Sequence, residues 1–179
     1  MVDYHEVNDK VLGVIGYGNI AKEVIKVAQS LDMKVICHTR TPRKDENGVH
    51  FVSLEEVLKQ SDYLSLHCPL NEHTKHMISM KELEMMKESA FIINTSRGAL
   101  IDEKALIEAL NTHEIAGAGL DVQEGEPIDA SNPLFQQENV ILTPHIGWRG
   151  YETRQRLVSL IQKNIEAFRK QKPINNVNK

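Results

Sequence analysis

Apolar runs alternate with segments of helical periodicity along almost the whole chain. Six short runs rich in apolar and β-branched residues predict strands at 10–15, 34–38, 63–67, 91–94, 115–120 and 140–143. Between and after them, apolar residues recur at helical spacing around 20–31, 54–59, 79–87, 102–110 and 151–170. Ser79 and Asp102 are the expected caps of the third and fourth helices. This alternation predicts an α/β fold with a doubly wound parallel sheet of six strands.

A glycine motif lies between the first predicted strand and the first predicted helix. Residues 16–21 read Gly-Tyr-Gly-Asn-Ile-Ala, a G-x-G-x-x-A pattern in the strand–turn–helix context where it binds a dinucleotide. Gly16 suits the tight turn, Gly18 lets the backbone approach a pyrophosphate, and the small Ala21 permits close packing of helix on strand. A glycine-rich turn without a ligand is the plainer alternative. A P-loop is a poor fit: Gly13 and Gly18 have its spacing, but Asn19-Ile20 replace the required Lys and Ser/Thr.

Composition excludes several classes of function. The formal net charge of -4 offers no basic surface for nucleic acid, and no run approaches the ~20 apolar residues of a membrane span. The start of the chain lacks the apolar core of a signal peptide, so Cys37 and Cys68 are expected to be reduced in a cytoplasmic protein. His73 and His76, with Cys68 and Glu72 nearby, match no common zinc spacing, so no metal is expected.

Polar residues follow the predicted strands at the edge where such sheets bind ligands. These strand-end segments are 16–18, 39–40, 68–69, 95–97, 121 and 144–145. They bring together the Arg97 guanidinium, the Asp121 carboxylate and the His145 imidazole. Each has a plainer reading alone, as a solvated arginine, a capping aspartate or a strand-end histidine, but together beside a nucleotide loop they predict an active site.

The blocks at these strand ends resemble one enzyme family. Residues 67–70 (His-Cys-Pro-Leu), 94–98 (Asn-Thr-Ser-Arg-Gly), 118–122 with Glu126-Pro127, and 143–146 (Thr-Pro-His-Ile) resemble the D-isomer-specific 2-hydroxyacid dehydrogenases in content and order. The resemblance covers essentially the whole chain, and 143–148 looks most similar to glycerate dehydrogenases and hydroxypyruvate reductases. It implies a Rossmann-type domain and hydride transfer between NAD(P)H and a small 2-oxo or 2-hydroxy acid.

The resemblance also implies roles for individual residues. His145 would protonate the carbonyl oxygen, and Glu126 would orient the imidazole and favour its charged form. Arg97 would hold the substrate carboxylate through a fork of donors, and Asp121 would accept from the nicotinamide carboxamide. Glu124 is a competing carboxylate, but the Glu-Pro pair favours Glu126. The full set of expected cofactor-binding residues is Gly16, Gly18, Asn19, Ile20, Thr39, Arg40, His67, Cys68, Pro69, Thr74, Thr95, Ser96, Arg97, Asp121, His145 and Gly147.

The end of the second strand departs from the NAD-binding pattern. That pattern has an acidic residue there, about 20 residues past the glycines, to bind the ribose hydroxyls. Here Thr39 takes the position, with Arg40, Arg43 and Lys44 after it, while Asp32 precedes the strand. Loss of the carboxylate and gain of cations favour a 2′-phosphate, so the cofactor is NAD or NADP, with NADPH hypothesised to bind at least as well as NADH. A solvated basic loop is the alternative.

The resemblance also bears on domain organisation and partners. Family members build a substrate domain from the start and extreme end of the chain, whereas nine residues precede the first strand here. Residues 1–179 are therefore expected to be one NAD(P)-binding domain, with a lead-in at 1–9, a closing helix at 151–170 and a tail at 171–179, able to bind cofactor with little turnover. A homodimer through this domain is implied by the resemblance.

Two rival functions remain at the sequence level. Corepressors similar to this family bind NAD(H) as sensors without catalysis, and they keep the Arg, Glu and His residues, so sequence does not separate them cleanly. A methyltransferase also has a glycine-rich first loop. That class, however, would not explain Arg97, Glu126 and His145 together.

Overall fold

The computed structural model describes residues 6–177 and contains a seven-stranded sheet. Its strands run in the order β3-β2-β1-β4-β5-β6-β7, and every neighbouring pair is parallel. The strands are β1 Val11–Ile15, β2 Lys34–His38, β3 Val49–Phe51, β4 Tyr63–Leu66, β5 Phe91–Asn94, β6 Gly117–Leu120 and β7 Val140–Leu142. The helices are α1 Asn19–Ser30, α2 Leu54–Gln60, α3 Met80–Leu83, α4 Glu103–Asn111 and α5 Tyr151–Arg169, with 3₁₀ turns at Gly98–Leu100 and Pro133–Gln136. The predicted doubly wound, Rossmann-type sheet is confirmed.

Two elements differ from the prediction. All six predicted strands are present, but the sheet has a seventh, β3, which pairs with β2 at the edge. The helix predicted over 79–87 is too long, because α3 ends at Leu83. Beyond it the Met86 N–H donates to the Leu83 carbonyl and the Lys87 ammonium to Asp62, so the chain turns instead of continuing the helix.

The two faces of the sheet carry separate apolar clusters. α1 packs over β1, β2 and β3, burying Ala21, Ile25 and Ala28. α2, α3 and α4 pack on the opposite face, where one larger cluster includes Leu58, Leu83, Leu106, Leu66 and Ile92. Three apolar residues of the helical pattern predicted over 20–31 are exposed instead, namely Ile20, Val27 and Leu31.

Side chains cap three α-helices, and at α3 the predicted cap Ser79 donates its N–H and its hydroxyl to the Glu82 carboxylate. At α2, Ser53 Oγ accepts from the Glu56 N–H, and the Glu56 carboxylate accepts from the Ser53 N–H, a capping box that satisfies two otherwise unpaired donors. At α4, the predicted cap Asp102 accepts from the first-turn N–H groups of Lys104 and Ala105. The predicted apolar face of α4 is buried, as expected. These caps fix where the chain enters each helix after a strand.

The chain divides into two compact units between Pro144 and His145. The sheet belongs to the first, and the second contains α5, none of whose residues is buried. No helix among the described residues is long and apolar enough to cross a membrane. The predicted lead-in and tail fall partly outside the described residues, at positions 1–5 and 178–179.

Candidate functional site

A cavity of about 690 Å³ opens beside the carboxyl ends of β1, β2 and β4 in the first unit. These strands are adjacent in the sheet, so their trailing loops meet at one edge. The predicted cofactor-binding residues that line the cavity are Gly16, Gly18, Thr39, Arg40, His67, Cys68, Pro69 and Thr74. Half of the sequence-derived cofactor set is thus brought to a single concave surface.

Gly16 holds the loops after β1 and β4 in contact. Its φ is +97°, a conformation that favours glycine, and a Cβ there would lie 2.8 Å from the carbonyl carbon and oxygen of His67. Its N–H donates to the His38 carbonyl at 2.9 Å, and the His67 N–H donates to the Ile15 carbonyl at 2.8 Å. The three loops around the cavity are therefore fixed to one another through backbone.

Gly18 leaves the start of α1 open to a ligand. It is the N-cap and supplies no side-chain bond, and a Cβ on it would meet nothing within 4 Å. The first turn of α1 carries no acidic residue, and first-turn N–H groups have no partner within a helix. The surroundings fit the pyrophosphate of a dinucleotide. Asn19 and Ile20 are exposed and do not line the cavity.

The wall after β4 carries no charge at neutral pH. Thr74 Oγ1 donates to the Pro69 carbonyl at 2.7 Å and so closes this loop. Burial lowers the pKa of His67, whose Nε2 lies 2.9 Å from Ser65 Oγ, and burial raises the pKa of the Cys68 thiol. A neutral, partly apolar wall of this kind suits the flat face of an adenine ring.

The wall after β2 is basic. Thr39 Oγ1 donates to the Thr41 carbonyl at 2.7 Å. Thr39 has no carboxylate with which to accept hydrogen bonds from ribose hydroxyls. Arg40 and Arg43 both line the cavity, and no aspartate or glutamate is found among its described lining residues. The electrostatic field at this end therefore favours an anionic ligand.

A second cavity, of about 390 Å³, lies along one face of β5, β6 and β7, from Phe91 and Asn139 at their amino ends to Thr95, Asp121 and Thr143 at their carboxyl ends. The predicted residues Thr95 and Asp121 line it together with apolar side chains. Asp121 is buried, its carboxylate accepts a hydrogen bond from the Thr143 hydroxyl, and its N–H donates to the Asn94 carbonyl at 3.0 Å. These contacts fix the position of the Asp121 carboxylate.

The Asn94 side chain organises the loop after β5. It is fully buried, its amide donates to the Arg97 carbonyl at 2.9 Å, and its Oδ1 accepts from the Ser96 N–H at 3.0 Å. Ser96 Oγ donates to the Cys68 carbonyl at 2.8 Å and so joins this loop to the first cavity. The sequence places Asn94 in a motif block but carries no signal for this structural role.

Arg97 and Glu126 lie in neighbouring loops of the first unit. β5 and β6 pair directly, and a Cβ on Gly98 would overlap the Gln123 carbonyl, so the two loops touch. Arg97 is exposed, with Nη1 donating to the Ser96 carbonyl at 2.6 Å, and Glu126 is also exposed. The competing carboxylate Glu124 pairs with His76 at 2.8 Å.

His145 is the first residue of the second unit, and Gly147 lies two residues further along the chain. It is half-buried and has a φ of +50°. The catalytic grouping of Arg97, Glu126 and His145 stays a prediction. Among the residues that the structure describes, no group of three or more His, Cys, Asp or Glu could hold a metal ion.

Other residues lining the first cavity were not singled out from sequence. They include Tyr17, Asn71 and Met77. Tyr17 lies inside the glycine motif, and its position between Gly16 and Gly18 is the only feature of the sequence that could have predicted its place in the cavity wall. Its ring packs edge-on against Phe51 with centroids 5.1 Å apart, so β3, the strand missed by the pattern, also borders this site.

Comparison with known proteins places these features in a family. Residues 1–147 match the family model described as "D-isomer specific 2-hydroxyacid dehydrogenase, NAD binding domain". The chain is 43% identical over 176 residues to a hydroxypyruvate reductase of Blautia hydrogenotrophica, covering 97% of this chain and 55% of that protein. It is 47% identical over 174 residues to a glyoxylate reductase of Thermococcus litoralis, covering 95% and 52%. The chain therefore spans about half the length of these curated relatives.

Solved structures in complex with NADPH or with NAD have folds similar to that of this chain. An acyclic imino acid reductase in complex with NADPH and D-Arg superposes with a TM-score of 0.87 at 40% identity, covering 96% of this chain and 54% of that one. An NAD-complexed D-isomer specific 2-hydroxyacid dehydrogenase from Lactobacillus delbrueckii ssp. bulgaricus has a TM-score of 0.88 at 31% identity, with 96% and 56% covered. The comparisons thus include both an NADPH and an NAD complex.

Proposed function

Because this chain belongs to the D-isomer specific 2-hydroxyacid dehydrogenase family, we propose that it binds NAD(P)H for hydride transfer to a small 2-oxo acid. The observation that carries the proposal is the cavity beside β1, β2 and β4, with the open start of α1 at Gly18. Relatives named hydroxypyruvate reductase and glyoxylate reductase support hydroxypyruvate and glyoxylate as the first substrates to test.

The roles of the chain's residues follow from what the reaction requires. NAD(P)H would supply the hydride to the carbonyl carbon. His145 would donate a proton to the carbonyl oxygen, and Glu126 would hold the imidazole in orientation. Arg97 would bind the substrate carboxylate through two parallel N–H donors. The buried Asn94 amide donates to the Arg97 carbonyl and so fixes the backbone from which the guanidinium extends.

Asp121 would orient the nicotinamide. One of its carboxylate oxygens accepts from Thr143, and the side chain lines the second cavity with Thr95. A carboxylate fixed at this sheet edge could accept from the carboxamide N–H groups and so select the ring face that is presented. Thr95 and Ser96 would contact the cofactor beside it.

We also propose that NADPH binds at least as tightly as NADH. No carboxylate is found among the described residues lining the first cavity, while two arginines are. A carboxylate at this position would bind ribose hydroxyls and repel a 2′-phosphate, and cations reverse that preference. The NADPH complex of the imino acid reductase is consistent with such a site, and the NAD complex of the bacterial dehydrogenase makes the comparison worth measuring.

Titration of the purified chain with NADPH and with NADH tests these proposals. We expect enhanced nicotinamide fluorescence with both, and a Kd for NADPH no larger than that for NADH. A markedly tighter NADH complex would end the NADPH proposal, and the absence of binding by either cofactor would end the whole assignment.

Turnover and oligomeric state are tested separately. For the 179-residue chain alone, whose match to the family is to its NAD-binding domain, we propose cofactor binding with little reduction of glyoxylate or hydroxypyruvate. Substantial reductase activity would contradict this. We further propose a homodimer, which light scattering would reveal as twice the mass of 20.3 kDa.

A further inference from the structure

One face of the sheet is only half covered within the first unit. α1 packs over β1, β2 and β3 on this face, whereas α2, α3 and α4 lie on the opposite one. The apolar side chains of β5 and β7 beside α1 are Phe91, Ile93 and Ile141, and Ile141 is 73% exposed. A Cβ on Gly119 of β6 would meet nothing nearer than the Ile93 side chain at 3.9 Å. Strands of a parallel sheet are normally buried on both faces, so these four residues form a bare half-face.

α5 carries an apolar stripe that is also uncovered. The stripe consists of Leu157, Leu160, Ile161, Ile165 and Phe168, which recur at the spacing of one helix face. All five side chains are exposed, Phe168 the most at 74%. Most helical stability in proteins comes from packing such a stripe against another element. The described residues therefore contain two apolar surfaces, one on a sheet and one on a helix, and each needs a partner.

The bare half-face has room for one helix. Strands about 4.8 Å apart give three neighbours a face about 10–15 Å wide, and an α-helix with its side chains is about 10–12 Å across. The apolar part of the half-face lies at the middle and amino ends of the strands, while Thr95, Asp121 and Thr143 lie at the carboxyl ends. A helix over the apolar part therefore leaves the carboxyl ends free for the nicotinamide proposed there.

The charge of the chain is divided between the same two parts. Residues 145–179 contain eight lysines and arginines and two glutamates, whereas residues 1–144 contain 13 cationic and 23 acidic side chains. Glu88 and Glu138 are exposed and come just before β5 and β7, at the amino end of the bare half-face. Opposite charges favour pairing of the basic helix with the acidic unit, and like charges oppose pairing of helix with helix or sheet with sheet.

From these observations we propose that two copies of the chain exchange α5, so that the helix of each lies on the bare half-face of the other. This inference rests on the homodimer proposed above and names its two surfaces. The partner is sought in a second copy because no residue of α5 is buried within its own chain and both complementary surfaces belong to one sequence. Two-fold symmetry would use each surface twice, and the doubled contact brings the buried area toward the 1,200 Å² or so of stable interfaces.

The test measures the dissociation constant of the dimer by sedimentation at a series of protein concentrations. Ile141→Lys places a cation on the bare half-face and Ile161→Glu places an anion in the stripe. Each should raise the dissociation constant about tenfold or more, because each removes apolar burial and opposes the charge pairing. Val27→Lys on the exposed side of α1 and Ser159→Glu on the polar side of α5 are the matched controls, and each should change it less than about threefold.

A mixture of the two variants separates exchange from other ways of pairing. In the mixed dimer the unmodified helix of the Ile141→Lys chain meets the unmodified half-face of the Ile161→Glu chain. The other contact then pairs the introduced cation with the introduced anion. We therefore expect the mixture to dimerise more tightly than either variant alone. Circular dichroism and urea denaturation check that each variant keeps the fold.

A second measurement needs no variant. Raising the ionic strength from about 0.05 M to 0.5 M screens the opposite charges of the two surfaces, so the dissociation constant of the unmodified dimer should rise several-fold. An unchanged or smaller constant at high salt would contradict the charge pairing on which the exchange depends.

Failure of the inference is distinguishable from failure of the earlier proposals. If the unmodified chain dimerises but either variant dimerises as tightly, or the mixture dimerises no better than its components, the exchange of α5 is wrong while the homodimer stands. If the unmodified chain keeps a mass of 20.3 kDa at every concentration, the homodimer and the exchange fall together. NADPH titration tests the cofactor site independently, since neither Ile141 nor Ile161 lines the first cavity.

Discussion

Two glycines in one loop are required for different reasons. Gly16 has a positive φ and no space for a Cβ against His67, whereas Gly18 has an ordinary extended backbone and open space around it. The first requirement belongs to the protein itself. The second arises only if a ligand approaches the backbone closely, so the two positions separate folding from binding.

Alanine substitutions at these glycines should therefore have opposite signatures. We expect Gly16→Ala to lower the free energy of unfolding by about 1–3 kcal/mol, through the strained φ and the clash with the His67 backbone. Gly18→Ala should leave stability within about 0.5 kcal/mol but weaken NADPH binding, because the methyl group stands where the pyrophosphate would approach. Urea denaturation and fluorescence titration measure the two effects. An unchanged NADPH affinity in Gly18→Ala would argue against a pyrophosphate at this loop.

The two thiols should differ in reactivity from a free cysteine. Burial raises the pKa of Cys37 to about 12, although the positive charge of Arg43 partly opposes the shift, and burial raises the pKa of Cys68 as well. Neither is then appreciably ionised at pH 8, and thiolate is the reactive form. We expect slow alkylation of both in the native protein, slower at Cys37 because it is fully buried and Cys68 only partly. In urea both should react at the rate of a model thiol, and fast native labelling of Cys37 would contradict its burial.

The same shift has a consequence for stability against pH. The unfolded chain loses the Cys37 proton near its ordinary pKa of about 8.5, while the folded chain keeps it until about pH 12. Above the ordinary pKa the unfolded state therefore binds fewer protons, and stability falls as pH rises. Cys37→Ser or Cys37→Ala would remove this alkaline component.

At the scale of elements, Asp62 joins three segments of the first unit. It precedes β4, its Oδ2 accepts from the N–H of Val11 at the start of β1 at 2.7 Å, and its Oδ1 accepts from the Lys87 ammonium at 2.8 Å. Burial acts to raise the pKa of Asp62, but the hydrogen bonds from Lys87 and Val11 and the nearby positive charges outweigh it and hold the pKa below the usual range. The ionised carboxylate thus supports the amino ends of the central strands.

Replacing this carboxylate should destabilise the sheet in a pH-dependent way. We expect Asp62→Asn to lower the free energy of unfolding by about 1–3 kcal/mol at pH 7. Since the folded pKa is depressed, the contribution is present above the unfolded value of about 3.9 and is lost as pH falls through the folded value. Urea denaturation at pH 7 and below pH 4 should therefore show the difference from the unmodified chain shrinking in acid.

Glu55→Gln is the matched control for that experiment. Glu55 pairs with Lys59 at 2.5 Å on the surface of α2, with both side chains more than half exposed. An i,i+4 pair this exposed to solvent contributes little to stability. If Glu55→Gln cost as much as Asp62→Asn, the special role assigned to Asp62 would not hold.

The limits of sequence reasoning are also clearest at the level of elements. Five of the six predicted strands matched within one residue at each end, because they are continuous apolar runs between turn residues. β3 was missed because it has three residues with an exposed His50 at its centre. The helix predicted to reach residue 87 has good local helical propensity, but the tertiary bond from Lys87 to Asp62 favours a turn there.

For the whole molecule, the strand order of the sheet decides which parts of the site could be predicted from the sequence and which could not. Residues directly after strands could be placed in advance, since parallel strands deliver their ends to one edge, and eight of the predicted cofactor-binding residues line one cavity. The contact of Arg43 with Tyr17 and Phe51 could not, because it depends on β3 pairing with β2. The arrangement at the basic end of the site therefore could not be predicted, because it depends on a short edge strand with no periodic pattern in the sequence.

The parallel order of the sheet also shapes how the protein folds. Adjacent parallel strands cannot be joined by a tight hairpin and meet only after a crossover of a dozen or more residues. β1 and β2 are linked through α1, but β1 meets β4 only across residues 16–62, so loop-closure entropy makes that central pairing a slow step. The first cavity is shared between loops on both sides of this seam. A dinucleotide can therefore stabilise the chain only after the seam has closed, which means that it would slow unfolding of the finished protein without accelerating its assembly.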